Sequence, residues 1–303
     1  MAVTPEQAIE AADEAFGRHP GYRAFHAKGT LLTGTFTANP EAAELSTAAH
    51  LQGNSVPVIV RVSNGAGNPK LPDYLPDVRG FAVKFELPGG SYTDIVAQTA
   101  PQFPVPDPEG FVELVAAFAP RPSMAWRVPR FFARYPKAPA LLAKAAPTLA
   151  PPASYATIPY YALHAYRFID AQGQARYVRY TFTPEAGVSR TKARAAMRRG
   201  RDYLQREIRD RLSRGPVRFS LELQLAEPGD PTDDPSALWP ADRRRITAGT
   251  LEITGLHANG DAAARSLVFD PVRVTEGIEL SDDPVLRFRP RAYALSAERR
   301  SEH

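Results

Sequence analysis

Three stretches of the 303-residue chain bring chemically useful side chains close together. FRPRAYALSAERR (288–300) sets Arg289 and Tyr293 one helical turn apart, with Arg291, Arg299 and Arg300 nearby. A tyrosine among permanent cations is a candidate for charge-stabilised chemistry; the bland alternative is a solvated basic helix. RVSNGAGNP (61–69) places Arg61 and Ser63 on one face of a strand, because side chains alternate along it. If that face is buried, the arginine needs an anion and the serine a hydrogen-bond partner. Arg23 raises the same question. RAFHAKG (23–29) carries His26 in mid-strand, where an imidazole can move protons or simply sit satisfied in a core.

The rest of the sequence is informative by what it lacks. There are no cysteines, which excludes disulfides, thiolate catalysis, iron–sulfur clusters and cysteine-based zinc sites. No two histidines have the spacing of a helical zinc site, and neither a P-loop nor a Gly-x-Ser-x-Gly elbow occurs. The net charge is +4, but the densest basic run, TKARAAMRRGRDYLQREIRDRLSRG (191–215), is laced with Asp202, Glu207 and Asp210 at helical spacing. It reads as a solvated helix and not as a nucleic-acid footprint. The start shows no signal peptide and no apolar run approaches membrane-spanning length, so a cytoplasmic location is expected, with a periplasmic one open if the start is truncated. Neither a nucleic-acid nor a membrane partner is expected.

The elements that must position these residues are read from patterning. Thr4 caps a helix that starts at Pro5. Strands are expected at 22–38 (bent at Gly29), 56–63, 79–87, 91–98, 161–170, 175–184, 217–227 and 247–256, several joined by local turns such as Gly89–Gly90 and AQGQ. Helical, proline-broken segments fall at 109–119 and 127–147. The fold class is therefore α+β: an eight-stranded antiparallel β-barrel with surrounding helices. One domain over 1–303 is expected, with the barrel core at about 22–257 and the tyrosine helix at about 289–300. The hydrophobic fraction of 44% suffices for a core that could enclose a cofactor.

RAFHAKG, RVSNGAG, DVRGFAVKFE (77–86), DIVAQTAPQF (94–103), ALHAYRFIDAQGQARYVRYTF (162–182), LWP (238–240) and DPVRVTEGIELSDDPVLRFRPRAYA (270–294) closely resemble successive landmarks of the haem catalase family. They occur in the family's order and cover about Tyr22 to Arg300. The chain resembles the short branch of that family, the catalase-related peroxidases. The resemblance implies haem, b-type with ferric iron, bound through a deprotonated tyrosine, which maps onto Tyr293 with Arg289 beside it; tyrosine ligation in catalase is general knowledge. A free phenol ionises near pH ~10, so a neighbouring guanidinium and the iron would both favour the phenolate. His26 matches the distal histidine, which would pass a proton between the two peroxide oxygens, and Ser63 the residue that orients it. Arg23, Arg61 and Arg300 match positions that pair with haem propionates. Phe81 and Phe103 lie in segments that line the haem pocket, and His164 receives no catalytic role.

Two departures from the full-size pattern set the functional expectation. Full-size catalases carry a distal asparagine in Gly-Asn-Asn-Thr-Pro; the matching stretch here, AQTAP (97–101), puts Thr99 at that position with Gln98 beside it. A threonine hydroxyl in place of a carboxamide would weaken positioning of a second peroxide, so reduction of hydrogen peroxide by a small organic donor should outweigh disproportionation. Organic hydroperoxides are further candidate substrates. The chain also lacks the C-terminal regions of large catalases, and no NADPH is expected. Family analogy points to a homodimer. The alternatives are a fatty-acid hydroperoxide isomerase or lyase on the same scaffold, and a non-enzymatic haem-binding protein, which would need the axial ligand but not the His26–Ser63 pair.

Overall fold

The computed structural model describes residues 3–301; residues 1, 2, 302 and 303 of the expected domain lie outside them. Ten strands join one antiparallel sheet: β1 (Gly29–Ala38), β2 (Val56–Asn64), β3 (Arg79–Glu86), β4 (Tyr92–Gln98), β5 (Tyr160–Tyr161), β6 (Tyr166–Ile169), β7 (Ala175–Pro184), β8 (Val217–Leu225), β9 (Arg245–Leu256) and β10 (Ile278–Leu280). The order β7-β5-β4-β3-β2-β1-β9-β8 closes on itself through pairing of β7 with β8. The result is the expected eight-stranded barrel, with β6 and β10 added as a flap outside the ring. Closure removes exposed edges, leaving each barrel strand paired on both sides.

Alternation along these strands fills the barrel with large side chains. Phe81 of β3 stacks on Tyr160 at 4.6 Å between ring centroids and lies 5.0 Å from Phe182 and 4.9 Å from Phe219. Phe36 of β1 meets Phe85 of β3 edge-on at 5.3 Å. All of these rings are buried. Aromatic pairs at such spacings add roughly 0.5–1.5 kcal/mol each beyond their burial.

Helices α1 (Pro5–Phe16), α2 (Pro40–Ala43), α3 (Pro108–Ala117), α4 (Met124–Arg134), α5 (Ala138–Ala145), α6 (Ala193–Arg198), α7 (Tyr203–Leu212), α8 (Gly260–Ser266) and α9 (Pro284–Ser301) surround the barrel. Thr4 caps α1 through a reciprocal pair with Gln7: its Oγ1 accepts from the Gln7 amide while the Gln7 side chain accepts from the Thr4 amide. Helices α3, α4 and α5 form the excursion between β4 and β5 and gather a small separate core of Val105, Ala117, Phe131 and Ala138. Helix α1 packs against α3 and α9, drawing both chain ends to one side of the barrel. No helix among the described residues is long and apolar enough to cross a membrane.

Two expected strands need correction. The stretch 22–28 is irregular and β1 starts only at Gly29. Residues 161–170 do not form one strand: β5 ends at Tyr161, and 162–165 cross over before β6 begins at Tyr166. In both places a histidine sits in the irregular part, where a side chain can be aimed independently of a strand's alternation.

Candidate functional site

A cavity of about 360 Å³ lies beside the barrel, walled by β2, β3 and β4 on one side and by α1, α3 and α9 on the other. That is within the range of sites for small organic ligands and cofactors. Of the residues singled out in the sequence, Arg23, His26, Arg61, Ser63, Phe81, Phe103, Arg289, Tyr293 and Arg300 all border it. Thr99 does not.

His26 departs most from its sequence reading. It is the one non-glycine residue with a positive φ (56°) among the described residues, not a strand position. Such a conformation is unfavourable for a residue with a Cβ and persists only when its surroundings over-determine it. Here they do: the His26 amide donates to the Gly65 carbonyl at 2.8 Å, the Ala27 amide to the Ala66 carbonyl at 3.1 Å, and Arg61 Nη2 donates to the His26 carbonyl at 2.7 Å. The ring's Nδ1 lies 3.1 Å from Ser63 Oγ. With Nδ1–H donating to the serine, Nε2 is left as the basic nitrogen. Burial first, then the positive fields of Arg61, Arg289 and Arg23, push its pKa down from 6.5 to about 3. His26 is thus a neutral base at ordinary pH.

The space for this arrangement is made by Gly80 of β3. A Cβ there would stand 2.6 Å from His26 Nδ1 and 2.7 Å from Ser63 Oγ. Under the catalytic role that the resemblance implies for His26, Gly80→Ala should displace the imidazole and lower turnover of peroxide by about 100-fold, the usual scale for a misplaced catalytic group, while haem content stays at the wild-type level. Steady-state kinetics on protein of measured haem content checks this, and unchanged turnover would contradict it.

On the other side, α9 presents Arg289, Ala292, Tyr293, Ser296 and Arg300 to the cavity at helical spacing. Its register is fixed by Asp283, whose Oδ1 accepts from the Val285 and Leu286 amides at 2.8 and 3.1 Å. The other oxygen of Asp283 lies 2.6 Å from His164 Nδ1. His164 Nε2 accepts from Arg289 Nη1 at 2.8 Å, and Arg289 donates to the Tyr293 oxygen through both Nε (2.9 Å) and Nη2. Burial holds His164 below its ordinary pKa, consistent with a neutral ring that donates to Asp283 and accepts from Arg289. The chain Asp283–His164–Arg289–Tyr293 therefore delivers two guanidinium N–H groups to one phenol oxygen. Sequence reasoning left His164 without a role and did not single out Asp283; the Asp-Pro pair that opens α9 was the available signal.

Between these two sides lie three cations without an anion. Arg61 is buried on β2 with its Nε lacking any partner. Among the described residues, Arg23 reaches only the Ala264 and Leu267 carbonyls, and Arg300 only those of Arg265, Ser296 and Leu267. None of the three forms an ion pair among the described residues. Burial, followed by repulsion from Arg61 and Arg300, disfavours the charged form of Arg23, and burial does the same to Arg61. Arginine does not give up its proton in proteins. The cluster instead demands anionic ligand groups. A haem would meet that demand, with two propionates for the arginines, iron for Tyr293 and a flat apolar macrocycle for walls that include Phe103 and Phe111, 5.2 Å apart between ring centroids. The residues present fit that group.

One expected site residue, Thr99, leaves the cavity, and other residues join it. Thr99 is buried away from the cavity, with Oγ1 accepting from the Arg79 amide at 3.0 Å; its neighbour Gln98, at the end of β4, is the residue that borders it. Alternation explains the swap, since adjacent residues leaving a strand point to opposite sides. Phe81 borders the cavity, but its ring belongs to the barrel core. Phe111 and Phe25, not anticipated, continue the aromatic wall at 5.4 Å from each other. Arg299, which a merely solvated basic helix would leave without a partner, pairs with Asp13 of α1 at 3.2 Å.

A family model described as catalase matches residues 15–302. The chain belongs to the catalase family. It is 46% identical over 303 residues to a catalase-related peroxidase of Mycolicibacterium paratuberculosis, covering 99% of this chain and 95% of that one. It is 36% identical to a catalase-related peroxidase of Synechococcus elongatus, covering 99% and 89%. Among solved structures, a fungal catalase superposes with a TM-score of 0.83 at 22% identity, over 93% of this chain and 60% of that one. The barrel with its helices is thus the catalase fold, spanning about three fifths of that fungal enzyme.

Proposed function

We propose that this protein is a haem-dependent peroxidase that reduces hydrogen peroxide at the expense of a small organic donor. The observation that carries the reading is one cavity holding both a phenol gripped by Arg289 and a neutral imidazole held by Ser63. A haem carrier would need the first and not the second. Bound there, haem supplies the redox chemistry; b-type haem with ferric iron is part of the proposal. Tyr293 would hold the iron, its charge stabilised through Arg289, and Arg23, Arg61 and Arg300 would hold the propionates.

The protein's own part is proton handling and positioning. Nε2 of His26 takes a proton from one peroxide oxygen and returns it to the other, so that water can leave. Ser63 and the left-handed backbone keep that nitrogen aimed into the cavity. Gln98 offers a carboxamide in the space where the sequence suggested a hydroxyl, so the argument that a threonine weakens peroxide positioning no longer applies. The preference for an organic donor is supported instead by the similarity to catalase-related peroxidases. The test is to add peroxide to the haem-loaded protein with and without an oxidisable phenol, following dye formation and oxygen release. Donor oxidation outpacing oxygen release supports the proposal, and vigorous oxygen release from peroxide alone contradicts its donor half.

A pH dependence follows from His26. Its folded pKa of about 3 lies below the ordinary 6.5, so the base stays unprotonated throughout the range between. The acid limb of kcat/KM should be flat through pH 6.5, and an inflection there would count against His26 as the base. Stability follows the same sign. His26 and His50, both pushed to about 3 by burial, leave stability at its full value above 6.5 and erode it as pH falls towards 3, because only the unfolded chain takes up the protons.

A further inference from the structure

The excursion between β4 and β5 carries a surface that the peroxide chemistry does not use. From Leu114 to Ile169 the chain contains no aspartate or glutamate, whereas the basic helix α7 is laced with them. Within this stretch α4 presents Arg127, Arg130 and Arg134 as one stripe at i, i+3 and i+7, while its opposite face packs Val128, Phe131 and Phe132 into the small core. Arg127 is tied to Glu14 and Arg134 to Glu113, but Arg130, Lys137 and Lys144 are exposed and have no ion pair among the described residues. Beside these free cations stand large exposed apolar side chains: Trp126 (56% exposed), Phe118 and Met124. Trp126 sits one turn from Arg130, on the edge of the basic stripe.

We propose that this α3–α4 corner docks the protein onto an anionic lipid surface, lying in the interface without crossing it. Cations beside Trp126 on one face of α4, with Phe118 and Met124 as further apolar anchors at the same corner, match what such an interface offers: acidic headgroups outside and acyl chains just beneath. A second copy of the chain is a poor occupant, since a symmetric contact would press the free cations of both copies together. A nucleic-acid backbone would use the cations and leave Phe118, Met124 and Trp126 unexplained. The surface also continues inwards. Phe111 and Val115 of α3 and Phe118, the residue just past its end, follow one another at i, i+4 and i+7, so a line of apolar side chains runs from the exposed patch to the cavity wall. The expectation of no membrane partner rested on the lack of a spanning segment, which surface docking does not require.

The test is flotation of the full-length protein with vesicles of phosphatidylcholine alone or with roughly a quarter phosphatidylglycerol, at low and high salt. Because Trp239 is buried, Trp239→Phe leaves Trp126 as a fluorescent reporter of insertion. Binding to the anionic vesicles only, weakened by salt and accompanied by a blue shift of Trp126, is expected. Arg130→Gln and Lys137→Gln should each weaken it about fivefold, the usual worth of one basic residue at such a surface. Trp126→Ala should weaken it further, with circular dichroism and thermal melting unchanged. No binding to anionic vesicles, or binding indifferent to these substitutions, would overturn the proposal. So would equally tight binding to duplex DNA that Trp126→Ala leaves intact, since that marks a general polyanion surface.

Discussion

Tyr293→Phe is expected to yield a folded protein that has lost most of its haem and nearly all turnover of peroxide. The change removes one oxygen, the acceptor of two Arg289 N–H groups. Helix α9 should survive, because Asp283 caps it and Leu286 remains buried in the barrel core. Arg289 keeps its bond to His164 but has no phenolate to support. Loss of outer-shell partners at metal sites typically costs roughly 10–100-fold in affinity, and loss of the ligand itself should exceed that. Haem content after purification and steady-state turnover are the measurements. Arg291→Ala, an exposed position on the same helix, should leave both unchanged. A Tyr293→Phe protein with normal haem content and normal turnover would refute the ligand assignment.

The second large effect concerns the other side of the cavity. His26→Ala should lower kcat/KM for peroxide by roughly 10²–10⁴-fold, the usual contribution of a positioned general acid–base. Haem should stay, since His26 takes no part in the contacts of Tyr293, Arg23 or Arg300. Alanine at a φ of 56° carries a steric cost of about 1–2 kcal/mol that could blur the result. Asparagine visits that conformation more readily, so His26→Asn separates lost chemistry from local strain. Both variants should lose turnover alike while keeping their haem. Unchanged peroxide reactivity in either would favour a haem carrier.

How far the sequence carried depends on what each residue's neighbours are. Barrel strands were readable because alternation and turn residues are local: β2, β3, β4, β8 and β9 start or end within about two residues of their expected bounds. Helix α9 and its Arg289–Tyr293 spacing were readable for the same reason. The swap of Gln98 for Thr99 was not, because the Thr99 hydroxyl is held by the Arg79 amide of the neighbouring strand β3, a contact no local pattern shows. His26 was placed in a strand because nothing in RAFHAKG signals a left-handed residue; Gly65, Ala66 and Arg61, distant in sequence, impose it. The Asp283–His164–Arg289 relay joins residues 119 and 125 positions apart and was invisible to any local pattern. Tertiary contacts, not propensities, decide such positions.

The central claim is that an arginine-supported tyrosine holds a haem iron in this cavity. Resonance Raman spectroscopy of the haem-loaded protein, excited in the phenolate-to-iron absorption, tests it most directly. One haem per chain is predicted, with iron–phenolate and tyrosine ring vibrations that shift when the protein is grown on ring-deuterated tyrosine. A bound haem whose spectrum shows an imidazole axial ligand, or no response to the deuterated tyrosine, would contradict it.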